Sequence, residues 1–461
     1  MAGRSRNVLL RQSSTTREIG MSGRNPVRVG VVGAGVSGVT ALHALREQGV
    51  DAVALDRRST IAGLWNSGYD SLHLFTSKTM ASLPGYPMPE DYPLFPSRDQ
   101  FRRYICAFVA DKGLSDHIRL NTEIVRMTAV GEGRDGWSLE LRSGGQEHFD
   151  AIVLANGHFH KPAPRAEYPG EFTGRQLHTS EYRNATQFEG DTLLVVGSGT
   201  SATDVATDGV AANKRVLMSV RSPRYFVPAS IGSRTRMDVS VPRFIPRFVQ
   251  DAFDTALMSV TTGRPERLGM PKTTGRMAKT KLTMSTLVPY WIQRGRIHIV
   301  PEIASFAGRT VTFTDGTSAD VDTIVWANGY EAEIPFLQQG TITWIDGMPA
   351  RVVGGTLSPD APNLYYNGWV SGIGSSSQLY SSSADLIAKM VLVQQRLPGP
   401  LYEQVFADEK PSGQLRWDLI DWRNILVAAD RRLSSILGVA PPRRRDFAER
   451  YPWAHRRLSV F

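Results

Sequence analysis

The chain has 461 residues, enough for two or three domains with buried cores, and its composition is that of an ordinary soluble globular protein. No apolar run approaches the roughly 18 residues of a membrane span, and the first 25 residues lack the apolar core of a secretory signal. A lone cysteine, Cys106, excludes an intramolecular disulfide or CxxC pair and fits a reducing cytoplasm. The net charge of +9 sits at the ends: residues 1–25 and 441–461 contribute +4 each, leaving about +1 for the body. Without a recognition motif, this excludes nucleic acid as the expected partner. Residues 1–25 read as a basic, disordered extension, with Met1 and Met21 both available as starts, and 441–461 as a basic tail.

In chain order, Val27–Val32 reads as a strand, Gly33-Ala34-Gly35-Val36-Ser37-Gly38 as a glycine turn, and the segment carrying Ala41, Leu42 and Leu45 as a helix. A short strand, Ala52–Leu55, then ends on Asp56. Gly33 permits the tight turn, Gly35 admits a pyrophosphate, and Gly38 lets helix and strand pack closely. Asp56 is placed to accept hydrogen bonds from two ribose hydroxyls. Beyond it come Gly63-Leu64-Trp65-Asn66, a proline-rich loop, and a helix with Phe101, Tyr104, Ile105 and Phe108 at helical spacing. Segments near Ile118–Met127 and Trp137–Leu141 read as inserted antiparallel strands. Ala151–Ala155 reads as a buried parallel strand ending at Asn156-Gly157.

The opening pattern recurs: strand Thr192–Val196, turn Gly197-Ser198-Gly199-Thr200-Ser201-Ala202, helix Thr203–Ala212, strand Arg215–Val220, then Arg221. Gly33 precedes Asp56 by 23 residues and Gly197 precedes Arg221 by 24, so the chain reads as having two nucleotide sites. Asp56 suits free ribose hydroxyls and would repel a 2′-phosphate, whereas Arg221 can clamp one. The first site therefore fits FAD and the second NADP. Arg221 also reads as a solvated surface arginine, and Arg215 and Arg224 compete for the phosphate.

Residues 228–290 read as an insertion of helices and loops. Arg296–Val300 and Thr310–Phe313 read as further strands, Val321–Ala327 as a buried strand ending in Asn328-Gly329, and Asn363–Tyr366 as another. In the helix Ser375–Val393, the polar first turn could aim amides at a flavin ring or be an ordinary serine cap. His158-Phe159-His160 has no third ligand for a metal. No GxSxG elbow or P-loop occurs, which removes hydrolase and nucleotidase readings.

The stretch Phe172-Thr-Gly174-Arg-Gln-Leu-His178-Thr-Ser-Glu-Tyr182 matches the F-x-G-x-x-x-H-x-x-x-Y/F fingerprint, and with two nucleotide sites around it the chain resembles the class B flavin-dependent monooxygenases. Tyr182, where Baeyer–Villiger members usually carry Trp, is similar to heteroatom-oxygenating and plant auxin-forming members. Ala62-Gly63-Leu64-Trp65 looks like the family's GGxW, with Ala62 for its first glycine. Tyr69-Asp-Ser-Leu…Thr76-Ser77-Lys78-Thr-Met80 looks like Y-x-S-L-x-x-N-T-S-K-x-M, with Phe75 where the family has Asn. Both A-T-G stretches read Ala-Asn-Gly here.

The resemblance implies an α/β fold of two Rossmann-like dinucleotide-binding domains, the NADPH domain inserted into the FAD domain. FAD would occupy 26–162 and 323–440, and NADPH 163–322. It implies FAD at Gly33, Gly35, Val36, Ser37, Gly38, Asp56, Arg57, Leu64, Trp65, Ile124, Ala155, Asn156, Gly157, Gln378 and Leu379. NADPH falls at Gly197, Ser198, Gly199, Thr200, Ser201, Arg221 and Ser222. His178, Tyr182 and Gly329 join the cofactor set, and Phe75, Thr76, Ser77 and Asn328 form the reacting group, with His178 read as a hinge rather than a proton-transfer catalyst.

The implied reaction passes a hydride from NADPH to FAD and forms a C4a-(hydro)peroxyflavin with dioxygen. That species oxygenates a small organic substrate, nitrogen or sulfur ahead of carbonyl insertion or oxidative decarboxylation. Phe75 cannot hydrogen-bond a substrate, which weakens amine or sulfide specificity. An NADPH-dependent reductase passing electrons elsewhere and a non-enzymatic NADPH sensor stand as alternatives. No membrane partner is expected; a homodimer is compatible with the sequence, although no motif encodes subunit number.

Overall fold

The computed structural model describes residues 27–231, 234–235, 246–272, 281–372, 376–414, 416–417, 419–441 and 450–451. The 1–25 extension with Met21, most of the 441–461 tail, parts of the 228–290 insertion and Ser375 lie outside the described residues.

Continuous apolar runs such as Ala151–Leu154 and Thr192–Val196 suit strands buried on both faces, which parallel sheets require. Two five-stranded parallel sheets result. The first runs, in spatial order, Leu364–Tyr366, Ala151–Leu154, Arg28–Val32, Asp51–Leu55 and Ile118–Arg119. The second runs Ile297–Val300, Arg215–Ser219, Thr192–Val196, Thr323–Trp326 and Arg175–His178. Every strand of the second sheet falls in sequence between Ala151–Leu154 and Leu364–Tyr366, so the second unit interrupts the first. In each sheet the strand leading into the glycine turn is the middle one, with a parallel neighbour on either side. That central crevice at the carboxyl ends of the strands is where open α/β sheets bind ligands.

Two expectations are corrected. Thr323–Trp326, assigned to the returning first unit, pairs with Leu193–Val196 and Arg175–His178, so the chain crosses back only after Trp326. The segment Ile118–Met127 is not one antiparallel strand. Asn121 takes a left-handed φ of 52° and breaks it. Ile118–Arg119 then joins the first sheet in parallel, and Ile124–Ala129 pairs antiparallel with Trp137–Leu141.

The helix Val36–Glu47 packs along Ser376–Gln394, and small residues on both (Ser37, Gly38, Ala41, Ala44; Ser377, Ser381, Ala384, Ala388) let them approach closely. Ser381 Oγ donates to the Ser377 carbonyl at 2.9 Å and Ser382 Oγ to that of Gln378 at 3.1 Å, whereas buried Ser383 Oγ has no hydrogen-bond partner among the described residues. The helix Arg98–Asp111 starts with a capping box of Ser97 and Gln100 and buries Phe101, Tyr104, Ile105 and Phe108 at helical spacing.

Candidate functional site: two glycine turns and their linkers

At the first turn, Gly33 has φ +106° and a Cβ there would lie 2.7 Å from the Ala155 carbonyl oxygen; one on Gly38 would lie 1.8 Å from that of Gly33. Both positions require glycine for close backbone packing. Gly35 differs, since its Cβ would meet only Gly63 Cα, at 3.9 Å, and its face stays open. No side chain caps the helix that starts at Val36, so its first amides are available to an anion.

Asp56 closes the turn. Its Oδ2 accepts from the Ala34 amide at 2.7 Å and its Oδ1 from that of Arg58 at 2.8 Å. One bond per oxygen leaves acceptor sites for hydroxyls. Arg57 points to solvent. Arg58, which sequence reasoning passed over in favour of Arg57, donates to the Gly63 carbonyl at 2.8 Å and to Ser67 Oγ at 2.9 Å, fixing the Leu64–Ser67 helix beside the turn. Trp65 of that helix packs edge-on to Phe101 at 4.6 Å, and Leu64 is exposed. Ile124 belongs to the same apolar cluster as Val32 and Leu55.

The opposite wall comes from two later stretches. Asn367, which sequence reasoning missed, donates Nδ2 to the Ser37 carbonyl at 2.8 Å. Among the described residues, buried Asn156 Oδ1, Asn367 Oδ1 and Gln378 Oε1 have no hydrogen-bond partner. Leu379 is core. Orphaned acceptors around an open glycine face and an uncapped helix fit a ligand that carries phosphates, hydroxyls and ring N–H groups.

Gly197 repeats Gly33: φ is +133° and its Cβ would lie 2.5 Å from the Ala327 carbonyl oxygen. A Cβ on Gly199 would meet nothing within 4 Å, and the helix Thr200–Ala211 likewise starts without a side-chain cap. Ser198 is buried, its carbonyl accepting from Thr283 Oγ1 at 2.8 Å. The Gly197 amide bonds the Ser219 carbonyl at 3.0 Å, two residues before Arg221, so Arg221 and Ser222 emerge beside the turn. Arg221 is 77% exposed and pairs with Glu302 at 3.6 Å. Arg215 is ruled out as a competitor, since it starts its strand at the end away from the turn. Arg224 is half-buried, with Nη1 on Thr283 Oγ1 at 3.2 Å.

Between the turns, His178 Nδ1 lies 2.9 Å from Ser180 Oγ and Nε2 lies 3.1 Å from the Gly329 carbonyl oxygen. Burial holds its imidazole below its ordinary range. Tyr182, expected near a cofactor, is instead fully buried, stacked on Phe188 at 5.2 Å, with its hydroxyl donating to Asp208 Oδ2 at 2.8 Å. Asn328, expected in the reacting group, is occupied elsewhere: its amide donates to the carbonyls of Ala163 and Pro164 at 3.3 and 2.8 Å. Ser77 is also turned inward and caps the helix Lys78–Ala81, accepting from the Met80 amide at 3.3 Å. Thr76 is buried, while Phe75 is 45% exposed. Gly157 and Gly329 follow the two strand ends in left-handed conformation.

Among the described residues there is no group of three His, Cys, Asp or Glu that could hold a metal ion, and no helix is long and apolar enough to cross a membrane.

The family described as flavin-binding monooxygenase-like matches residues 26–350. The indole-3-pyruvate monooxygenase YUCCA1 of Oryza sativa subsp. japonica is 32% identical, covering 66% of this chain and 77% of its own. A human protein named as an N-oxide-forming dimethylaniline monooxygenase is 27% identical, covering 84% of this chain and 77% of its own. The solved S-allyl-L-cysteine S-oxygenase of Allium sativum shares the fold with a TM-score of 0.62 at 22% identity, over 92% of this chain and 91% of the other. With two Rossmann-like units, paired glycine turns and a family match across most of its length, the chain belongs to the flavin-binding monooxygenase-like family and is an FAD- and NADPH-dependent monooxygenase.

Proposed function

We propose that FAD is held at the first turn and NADPH at the second, and that the enzyme oxygenates a soft nitrogen or sulfur centre of a small organic substrate. The FAD unit comprises about 26–162 and the chain after Trp326, and the NADPH unit about 163–326, moved four residues from the sequence boundary to keep Thr323–Trp326 with its sheet. FAD, when bound, accepts the hydride and activates dioxygen.

The residues of this chain bind, orient and exclude water. The Gly35 and Gly199 faces and their uncapped helices take the pyrophosphates, Asp56 takes a ribose, and Arg221 takes the 2′-phosphate. The exposed Arg221 loses little packing when it swings to a phosphate.

Phe75 removes the hydrogen bond by which a particular amine or sulfide would be selected. The disposition of Phe75-Thr76-Ser77 as a whole still carries the choice of nitrogen or sulfur over a carbonyl, because it leaves no side-chain donor exposed at this stretch. It presents an apolar ring outward and turns both hydroxyl-bearing residues inward. A carbonyl to be attacked gains from a donor that polarises it, whereas a soft nucleophile needs only placement. The human relative named as N-oxide-forming supports this reading. The rice relative, named for indole-3-pyruvate, favours a second one: oxygenation at a carbonyl substrate with loss of carboxylate.

A product screen over amines, thioethers, indoles, 2-oxo acids and ketones under oxygen-18 separates the two. N- or S-oxides carrying one heavy oxygen support the first reading. Labelled esters or decarboxylated acids as the only products overturn it.

A further inference from the structure

Between the short helix Leu64–Ser67 and the Phe75–Ser77 stretch, the chain of the first unit reaches across to the second. Tyr69, buried, donates its hydroxyl to Asp204 Oδ2 at 2.6 Å, and Ser71 Oγ donates to Asp208 Oδ2 at 2.6 Å. Asp204 and Asp208 lie four residues apart on one face of Thr200–Ala211, the helix that opens from the second glycine turn. Asp208 also accepts from Tyr182, the last residue of the linker fingerprint, and the Tyr69 hydroxyl also meets Ser201 at the turn itself. The Asp70 amide adds a bond to the Arg183 carbonyl at 2.8 Å, and Asn184 Nδ2 reaches Asp70 Oδ2 at 2.8 Å.

Two carboxylates at such a contact are costly for stability. An apolar pair of similar shape would hold two units together as well or better, and a carboxylate there is tolerated only when hydrogen-bonded. What the pair gives that an apolar contact does not is direction. Two charge-assisted bonds one helical turn apart fix both the position and the rotation of the helix, where a single bond would leave a pivot.

We propose that Asp204 and Asp208 are positioning residues for hydride delivery: by gripping Tyr69 and Ser71 they lock the helix of the second glycine turn, and the NADPH it carries, in register with the Leu64–Ser77 segment of the FAD unit. Hydride transfer depends on close alignment of donor and acceptor, and a displacement near 1 Å can cost about a hundredfold in rate. Tyr69 and Ser71 follow directly on the Leu64–Ser67 helix that Arg58 fixes beside the first glycine turn, so a shift in the latch shifts the two turns relative to one another.

The inference rests on the placement of NADPH at the second turn. The test uses the FAD-loaded full chain without oxygen and compares the parent, Gly199→Ala, Tyr69→Phe and Tyr69→Phe/Ser71→Ala. The readouts are NADPH affinity, flavin reduction at saturating NADPH, reduction by dithionite, and hydrogen exchange of amides 66–72 and 180–184. In the latch variants the expected result is a fall in NADPH-driven reduction of about tenfold to a hundredfold. NADPH affinity stays within about threefold, dithionite reduction is parental, and the two amide segments exchange faster. Asp208→Glu is expected to recover more of the rate than Asp208→Ala.

If Gly199→Ala weakens NADPH while the latch variants are reduced at the parental rate, the latch is overturned and the cofactor placement stands. A latch-variant loss that dithionite reduction shares equally also overturns it, because the damage is then to the flavin site. If Gly199→Ala binds NADPH like the parent, the placement fails and the latch proposal fails with it.

Discussion

The imidazole of His178 bridges the two units: its Nε2 lies 3.1 Å from the carbonyl oxygen of Gly329, three residues after the chain leaves the second sheet at Trp326. His178 itself ends the edge strand Arg175–His178, so one hydrogen bond joins the entry and the exit of the inserted unit. Engagement of both ring nitrogens fits a hinge role for His178 better than proton transfer. We expect His178→Ala to lower flavin reduction by NADPH about tenfold, with no change in the shape of its pH profile. A proton-transfer catalyst would lose about a hundredfold to ten-thousandfold and its pH limb as well. Stopped-flow reduction between pH 6 and 9 distinguishes the two.

Arg221→Ala should raise the KM for NADPH by about ten- to a hundredfold, the loss of one or two hydrogen bonds between charged groups, and leave NADH kinetics unchanged. An unaltered NADPH preference would move the phosphate clamp to another basic side chain, Arg224 being the first to substitute.

The second glycine turn separates folding from binding. A Cβ at Gly197 would strike the Ala327 carbonyl, so Gly197→Ala should destabilise the fold, whereas one at Gly199 meets open space. Gly199→Ala is therefore expected to melt within about 1 °C of the parent and to bind NADPH at least tenfold more weakly. Isothermal titration and thermal melts on the same samples check both halves.

Ala62 carries a strain that glycine would relieve. It stands where the resembling GGxW stretch has its first glycine, holds φ at +75°, and donates its amide to the Ala34 carbonyl at 2.9 Å. An L-residue in that region costs roughly 1–2 kcal/mol. After losing one buried methyl and gaining chain entropy in the unfolded state, Ala62→Gly should come out within about 1 kcal/mol of the parent in either direction, where an ordinary buried Ala→Gly change would only destabilise. A loss above about 1 kcal/mol in urea melts would show that the methyl matters more than the backbone.

Acid stability should depend on His158. Burial, with Arg351 nearby, holds its pKa down to about 4 from the ordinary 6.5. The folded chain therefore binds fewer protons there than the unfolded chain. Its contribution is complete above pH 6.5 and is lost as pH falls toward 4, by up to about 3 kcal/mol. Asp204 slopes the other way, because burial lifts its carboxyl from 3.8 to about 6 and stability falls as pH rises through that window. Urea melts of His158→Gln from pH 4 to 8 should therefore lose the acid limb and expose the Asp204 slope. An unchanged acid limb would place its origin elsewhere.

The glycine turns and the central strands were legible because each rests on local pattern, a period, a turn residue or a strand-end charge, whereas the insertion of one unit in another came only from the family resemblance. What escaped was pairing across distance. Val321–Ala327 and Ala151–Ala155 have the same apolar run and the same Asn-Gly ending, and nothing in either says which sheet it joins; only the ladder to Leu193–Val196 decides. Asn121 ended a strand through its left-handed φ rather than through any break in hydrophobic alternation. Asn328 and Tyr182 were placed near the chemistry by motif, yet their partners, Ala163, Pro164 and Asp208, are visible only in three dimensions. Asn367 gave no signal at all, since an isolated asparagine after a short strand most often marks a turn.

On the proposed assignment, the first glycine turn keeps FAD and the second lends it electrons in the service of oxygen transfer. The most direct measurement is rapid mixing of the NADPH-reduced, NADP-bound enzyme with oxygenated buffer, followed by absorbance. The account predicts a transient absorbing in the near ultraviolet before oxidised flavin returns, shortened when a nitrogen or sulfur substrate is present. Direct return of oxidised flavin without a transient, at a rate indifferent to every substrate class, would contradict it.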